Sequence, residues 1–467
     1  MLSSFTPSFD WIPSTLLTSE RSEAKQLAGR LWLEHQLPLT PKQKHDFLSN
    51  GLLTTIPAME KHWWGWACRK CGNKTQRHIV PWPCPCGNPC YYCRVCIEMG
   101  RITSCTSLWL WTGGQPVWSK VANACTWKGT LSRYQQQGAE AIVQAITEKR
   151  SQLVWAVCGA GKTEMLFPGL EHAFSLGLRV CLATPRADVV RELKPRLQAA
   201  FPHVDIVALY GGTEDVDKGA LFVIATTHQL MKYADAFDVM IIDEVDAFPY
   251  HADRNLQHVA KRAQRPDSAL LYLTATPRWK MKLLSSFNKL PTVFVPQRYH
   301  GFPLPVPQFM NSFDTEKAIV NGQLPFSFRK WIITKREKQR RVIVFVPTIN
   351  MAEQLAPLLH EAIFVHSEDP EREQKVADFR NEKFNLLIAT TILERGVTFP
   401  SIDVAVLHAG HHVFDEAALI QIAGRAGRSA QDPDGDVVFF HQGKTEAMLA
   451  AKSEIEAMNI RARKGGN

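Results

Sequence analysis

Short apolar runs recur in two stretches of the chain. The first set lies at 153–157, 180–183, 205–209, 221–225, 239–242 and 269–273, and the second at 342–346, 362–366, 386–389, 404–407 and 437–440. Runs this short, with little polar alternation, read as strands covered on both faces. Helical spacings separate several of them, so the pattern predicts an α/β fold with two tandem, doubly wound parallel sheets. An amphipathic helix carrying Ala139, Ile142, Val143 and Ile146 precedes the first strand, and a further helix is expected over 20–35. Between the two sets, Pro291, Pro296, Pro303, Pro305, Pro307 and Pro325 interrupt a stretch without strong periodicity. That stretch reads as a linker. The expected organisation is an N-terminal extension (1–60), a cysteine-rich module (61–110), a first lobe (111–295), a linker (296–325) and a second lobe (326–467).

Open parallel sheets bind ligands at the carboxyl ends of their strands, and the polar residues of this chain collect there. The run 153–157 leads into Cys158-Gly159-Ala160-Gly161-Lys162-Thr163 and then a helix. Glycines let the backbone approach a phosphate, while the N–H groups and dipole of a helix N-terminus favour its charge. Gly159, Ala160 and Gly161 would form the cradle, Lys162 would reach the β- and γ-phosphates, and Thr163 would hold Mg²⁺. The strict GxxxxGK(S/T) pattern fails because Ala156 occupies its first position, and the form present is AxxGxGKT.

The run 239–242 ends in Asp243-Glu244-Val245-Asp246. Asp243 suits Mg²⁺, and Glu244 suits a base that orients and deprotonates an attacking water. In the second set, Gln421-Ile422-Ala423-Gly424-Arg425-Ala426-Gly427-Arg428 places two arginines three apart. They share one helical face and can stabilise charge on a departing γ-phosphate. Gln135 can hydrogen-bond an adenine edge from its place before the first strand, or sit there as a solvated turn residue. Other polar strand ends are Thr184-Pro185-Arg186, Gly211-Gly212, Thr226-Thr227, Thr274-Ala275-Thr276, Thr390-Thr391 and Glu394-Arg395-Gly396.

Composition changes the picture little. Lys and Arg number 54 against 45 Asp and Glu, a net charge of +9 that suits a polyanion partner without requiring one. No apolar run is long enough to cross a bilayer and no signal-peptide pattern opens the chain, so a cytoplasmic protein is expected, peripheral to a membrane at most. A tryptophan-rich region runs from Trp32 through Trp63, Trp64, Trp66 and Trp82 to Trp127. These rings read first as packing for a thin core, and second as stacking platforms for unpaired bases. The basic run 461–464 reads as a solvated tail.

The cysteines change it more. Of eleven, seven fall between Cys68 and Cys96: Cys68-x2-Cys71, then Cys84, Cys86 and Cys90, then Cys93-x2-Cys96. Two C-x2-C turns are the donor set of a closed, structural Zn²⁺ site. Cys68 and Cys71 can pair with Cys90 and Cys93, or with Cys93 and Cys96. A second ion on Cys84, Cys86 and Cys90, with His78 as a further donor, is also consistent with the spacing. Cys105, Cys125, Cys158 and Cys181 stand apart and read as small buried residues.

Taken in order, AVCGAGKT, TPR, TTHQL, DEVD, TAT, ATTILERG and QIAGRAGR resemble the motif series of superfamily 2 helicases from Gln135 to Arg428. The resemblance implies two RecA-like helicase lobes, ATP and Mg²⁺, and arginine-finger roles for Arg425 and Arg428. It implies that Thr274 and Thr276 couple hydrolysis to movement, and that Arg186, Thr227 and Thr391 contact a nucleic-acid backbone. The cysteine module, ending Tyr91-Tyr92-Cys93-Arg94-Val95-Cys96, is similar to that of the ComFA family of late competence ATPases. That likeness favours Cys68, Cys71, Cys93 and Cys96 as the Zn²⁺ ligands, with Cys90 as the alternative. It implies an ATPase stimulated by single-stranded DNA at the inner face of the cytoplasmic membrane, pulling transforming DNA through the ComEC channel with ComFC as partner. Two other readings are kept: a replication-restart helicase of the PriA kind, in which the cysteines lie within the helicase region, and an ATP-dependent clamp that does not translocate.

Overall fold

The computed structural model describes residues 18–19, 22–366, 368–391 and 399–465. Glu394-Arg395-Gly396 lies outside them. Both predicted sheets are present and parallel throughout. The first contains β1 (Ser151–Ala156), β2 (Val180–Thr184), β3 (Ile206–Leu209), β4 (Phe222–Thr226), β5 (Phe237–Asp243), β6 (Gln264–Thr274) and β7 (Thr292–Val295), in the order β3-β4-β2-β5-β6-β1-β7. The second contains β8 (Gln308–Asn311), β9 (Arg341–Phe345), β10 (Ile363–Val365), β11 (Leu386–Ala389), β12 (Ile402–Val406) and β13 (Val437–His441), in the order β8-β13-β12-β9-β11-β10. Crossover helices cover both faces of each, which is why the central strands β2, β4, β9 and β12 are buried at every position.

The proline-rich stretch read as linker is largely built into the lobes. β7 pairs with β1 of the first sheet, and β8 pairs in parallel with β13 of the second. A proline lacks a donor but is tolerated beside an edge strand, and β7 and β8 are both edges. The segment between them crosses between the lobes, held where Asn459 exchanges two hydrogen bonds with the Leu304 backbone, at 2.8 and 2.9 Å.

The basic run near the end is not a free tail. It closes a helix, Glu446–Lys464, that packs on the second lobe and then returns to the first. Arg461 lies 4.4 Å from the centroid of the Phe294 ring, and the Tyr134 hydroxyl donates to the Ala462 carbonyl at 2.9 Å. One contiguous apolar core therefore runs through both lobes, with Val157, Leu304, Ile420, Ile455 and Met458 among its members.

The N-terminal module is docked on the first lobe. Strand Leu53–Pro57 pairs with Ser107–Trp111 and closes the module, so residues 22–57 belong to it. The helix expected over 20–35 covers only Ser22–Leu27. It stops before Gly29, whose φ of +70° lets the chain press on Ala236, where a Cβ would come within 2.8 Å. Arg262, fully buried, donates to the carbonyls of Arg69 and Lys70 in the module and of Met231 and Tyr233 in the lobe. Module cysteines share a core with Leu230, Met231 and Val259. Of the tryptophans, Trp32, Trp109 and Trp111 are core, as the packing reading expects, whereas Trp63 is 97% exposed at a hairpin tip.

Candidate active site and metal centre

The glycine turn after β1 adopts the conformation its residues permit. Gly159 and Gly161 have φ of +78° and +72°, and Gly161 is the N-cap of the helix Lys162–Leu176. A side chain at Gly161 would meet the Gln135 amide at 2.3 Å. Gln135 itself is buried. Its amide donates to the Ala160 carbonyl at 2.9 Å and its oxygen accepts from the Ser132 N–H at 2.8 Å. It is therefore a brace that holds the turn against the preceding helix, and the solvated-turn reading does not describe it.

Around this turn lies a cleft of about 450 Å³ between the lobes. Lys162, Thr163, Asp243 and Glu244 face it from the first lobe, and Gln421, Arg425 and Arg428 from the second. Asp243 ends β5, and its carboxylate accepts from the Glu244 N–H at 2.9 Å. Glu244 has φ of +54°, a left-handed conformation uncommon for a non-glycine residue and frequent at functional turns. The two lobes touch at the cleft floor, where the Cys158 thiol donates to Gln421 Oε1 at 3.0 Å. A Cβ on Gly424 would lie 2.4 Å from that of Cys158, so glycine is what permits this approach.

The cleft sets four cations, Lys162, Arg196, Arg425 and Arg428, against four carboxylates, Glu164, Glu192, Asp243 and Glu244, and the charge its second-lobe wall brings is positive. Burial, and then the neighbouring Arg428 charge, pull Arg425 down to about 9. The same two causes pull Arg298 down to about 10. Arg298 escaped the sequence reading because it sits in the proline-rich stretch. Its guanidinium donates to the Ala426 and Gly427 carbonyls, and the next residue's N–H, that of Tyr299, donates to the Gly159 carbonyl at 3.0 Å. It thus joins the glycine turn to the arginine motif. Guanidinium groups crowded away from water suit a polyanion, and the glycine cradle suits its phosphates.

Asp246, the last residue of the DEVD run, carried no role in the sequence reading. It is buried and accepts from the hydroxyls of both Thr274 and Thr276, the latter at 2.6 Å. Those threonines are therefore tied directly to the segment bearing Glu244. The expected nucleic-acid contacts are less uniform. Arg186 is paired with Asp188 at 2.6 Å, Thr227 is fully buried, and Thr391 is partly exposed.

The cysteines form two groups of four. The sulfurs of Cys68, Cys71, Cys93 and Cys96 all lie within 4.8 Å of one another and are buried. Cys90 is excluded from this group by strand geometry. It lies three positions before Cys93 on the strand Pro89–Cys93, so the two side chains point to opposite faces. The donor set and its spacing fit a tetrahedral Zn²⁺ site. Four thiolates around Zn²⁺ leave two net negative charges, and the buried cations Lys70 and Arg262 stand beside them. The second group is Cys84, Cys86, Cys90 and Cys105. His78 is not part of it. Cys105, expected to be a small buried residue, is exposed and belongs to this group, whereas Cys158 and Cys181 are buried as expected.

Comparison with known proteins agrees with this architecture. Residues 128–279 match the family model described as type III restriction enzyme, res subunit, and 326–430 match the helicase conserved C-terminal domain. A Mycobacterium smegmatis helicase Lhr structure, bound to ssDNA and AMP-PNP, has a TM-score of 0.51 at 17% identity, covering 71% of this chain and 50% of that one. RecG bound to a three-way DNA junction has a TM-score of 0.50 at 18% identity, covering 71% and 45%. The cleft, its motifs and these lobes define the class: an ATP-dependent helicase-type ATPase of superfamily 2. Residues 18–110 match the competence protein ComFA N-terminal domain. The competence protein ComFA of Bacillus subtilis is 42% identical over 97% of this chain and 98% of its own, and that of Streptococcus pneumoniae 36% over 93% and 98%. The chain belongs to the ComFA family, and its class of activity is accordingly associated with competence.

Proposed function

We propose that this protein is an ATPase stimulated by single-stranded DNA that translocates along one strand and drives uptake of transforming DNA. The observation that carries the reading is the cleft that joins Lys162, Asp243 and Glu244 of one lobe to Arg425 and Arg428 of the other, in a chain of the ComFA family. ATP is the substrate. Mg²⁺ held by Thr163 and Asp243 would screen the phosphate charge. Lys162 grips the β- and γ-phosphates, Glu244 accepts the proton of the attacking water, and Arg425 and Arg428 stabilise charge on the departing phosphoryl group. Because the arginines come from the second lobe, hydrolysis and the relative position of the lobes are linked. Asp246, Thr274 and Thr276 pass that change to strand-gripping segments that carry Arg186, Thr227 and Thr391, of which Thr227 is buried and would shape its segment rather than touch the strand. Cys68, Cys71, Cys93 and Cys96 hold a structural Zn²⁺.

Grip on a strand of this kind is through phosphates, so DNA sequence matters little and salt matters a great deal. Among the described residues no helix is long and apolar enough to cross a membrane. For work at the inner membrane face, ComEC and ComFC are the partners the family suggests.

ATPase activity of the full chain with no nucleic acid, single-stranded DNA, duplex or branched DNA, and RNA, each at two salt concentrations, tests the reading. Stimulation by single-stranded DNA that weakens with salt is expected, together with ATP-dependent displacement along a labelled strand. Equal activity without nucleic acid refutes it. Stimulation chiefly by branched DNA transfers the protein to the restart-helicase reading, and stimulation without displacement to the clamp.

A further inference from the structure

The module contains a second cysteine cluster that the ATPase reading leaves unused. It is built on the hairpin Ile79–Pro83 and Pro89–Cys93, which the short strand Ile102–Thr103 extends. Opposite pairing of Trp82 with Cys90 and the two-residue period put Cys84 and Cys90 on one face. By the same parity, Thr103 and the residue two beyond it, Cys105, follow that face, and the Thr103 hydroxyl lies 3.2 Å from the Cys105 sulfur. Cys93, Ile79 and Ile102 take the other face, where they join the core around the first cluster.

Cys84 and Cys105 have sulfurs 3.3 Å apart and Cys86 and Cys90 3.4 Å apart, with all four inside 4.8 Å. A tetrahedron with Zn–S bonds of about 2.3 Å has S···S edges of about 3.8 Å. The first cluster, at 3.6 and 3.7 Å, matches this closely, and the second, at 3.3 and 3.4 Å, is slightly tighter. A disulfide would need a separation of about 2.05 Å, which neither pair approaches.

The hairpin needs such a staple. Pro81, Pro83 and Pro89 remove donors from its ladder, and no buried apolar side chain other than Cys90 comes from its loop end. A short hairpin of this kind has little to hold its tip closed. A thiophilic cation bound by four side chains from the loop, one strand and the returning segment would do so.

We infer that Cys84, Cys86, Cys90 and Cys105 form a second Zn²⁺ site, independent of the one on Cys68, Cys71, Cys93 and Cys96. The two differ in access. The inner four sulfurs are buried, whereas Cys86 and Cys105 are exposed and Cys84 is partly so. The outer ion therefore exchanges faster.

The test is zinc stoichiometry of the full chain purified under reducing conditions, by elemental analysis and native mass spectrometry, with release followed in a chromogenic chelator. Two equivalents per chain, released in a fast and a slow phase, are expected. The variant Cys84→Ser/Cys105→Ser should retain one equivalent and only the slow phase, with far-ultraviolet circular dichroism unchanged. One equivalent in the unmodified chain, with four rapidly reacting thiols or with a mass two daltons low from a disulfide, overturns the inference. Should the variant misfold, cobalt titration of the unmodified protein decides. Tetrathiolate cobalt absorption that saturates at two equivalents supports the site, and saturation at one refutes it. Neither readout depends on ATP hydrolysis, so failure of the ATPase reading leaves this one testable.

Discussion

The two lobes share a fold and divide the chemistry. Both are parallel sheets wrapped by crossover helices, and both present polar residues at the carboxyl ends of their strands. The first lobe brings two separate strand ends to its half of the cleft, the glycine turn after β1 and the carboxylates after β5, and ties the buried threonines after β6 to the second of these through Asp246. The second supplies one helix end, Gln421 to Arg428. The first lobe is thus equipped to hold a nucleotide unaided, and the second to complete the cleft only when docked. Substrate affinity should belong to one lobe and turnover to both.

The sharpest test of that division compares Lys162→Ala with Arg425→Ala. Each should lower ATP hydrolysis by about 10³-fold. Only Lys162→Ala should also weaken nucleotide binding, measured with a fluorescent ATP analogue. Equal loss of binding in both would mean that the lobes share ground-state affinity, and the comparison would fail.

Docking itself is next in size. Gly424 has ordinary helical dihedrals, so Gly424→Ala costs nothing in backbone strain. Its new methyl would meet Cys158 at 2.4 Å and hold the lobes apart. Overpacking of a tight contact costs about 1–3 kcal/mol, so turnover should fall by about 10- to 100-fold. Pairing it with Cys158→Ala does not remove the Cβ and should restore only part of the rate. Full activity of Gly424→Ala would show that the closed contact is not on the reaction path.

A smaller effect is expected at Asp246→Asn. The amide offers one acceptor oxygen where the carboxylate offers two, so one of the Thr274 and Thr276 hydroxyls loses its partner at a cost of about 1–3 kcal/mol. The unstimulated rate should change little, and the stimulated rate should fall about tenfold. An equal fall in both rates would place Asp246 in the hydrolytic step rather than in coupling.

These residues also mark how far the sequence could be read. Lys162, Asp243, Glu244, Arg425 and Arg428 were legible because local strand–turn–helix chemistry demands glycine, charge and spacing that no other context favours. The sheets were legible because strands covered on both faces lose alternation. Arg298 was not, since its importance lies in carbonyls more than a hundred residues away. Cys105 gave no motif of its own. Only the surplus of three cysteines left over by one four-sulfur site hinted at a further donor. The helix over 20–35 failed at Gly29 because contact with Ala236 outweighs helical propensity there. The basic C-terminal run misled because it closes a helix that the first lobe holds: Arg461 lies over the Phe294 ring and the Tyr134 hydroxyl donates to the Ala462 carbonyl, although the charges themselves stay exposed.

The half-exposed and exposed ion pairs between the lobes should be the contacts most sensitive to conditions. Arg278, just after the Thr274–Thr276 segment, meets Asp415 at 3.0 Å, and Asp415 caps the helix Glu416–Ala423 through the Ala418 N–H. The pair is half-exposed, and exposed ion pairs contribute only about 0.2–1 kcal/mol before screening. Arg278→Ala should therefore slow turnover by no more than about fivefold at low ionic strength. At high salt, where surface pairs are screened, it should match the unmodified protein. A salt-independent loss would mean that Arg278 acts through its other contacts, the Asp246 carbonyl and His251, and that coupling runs within the first lobe rather than between the two.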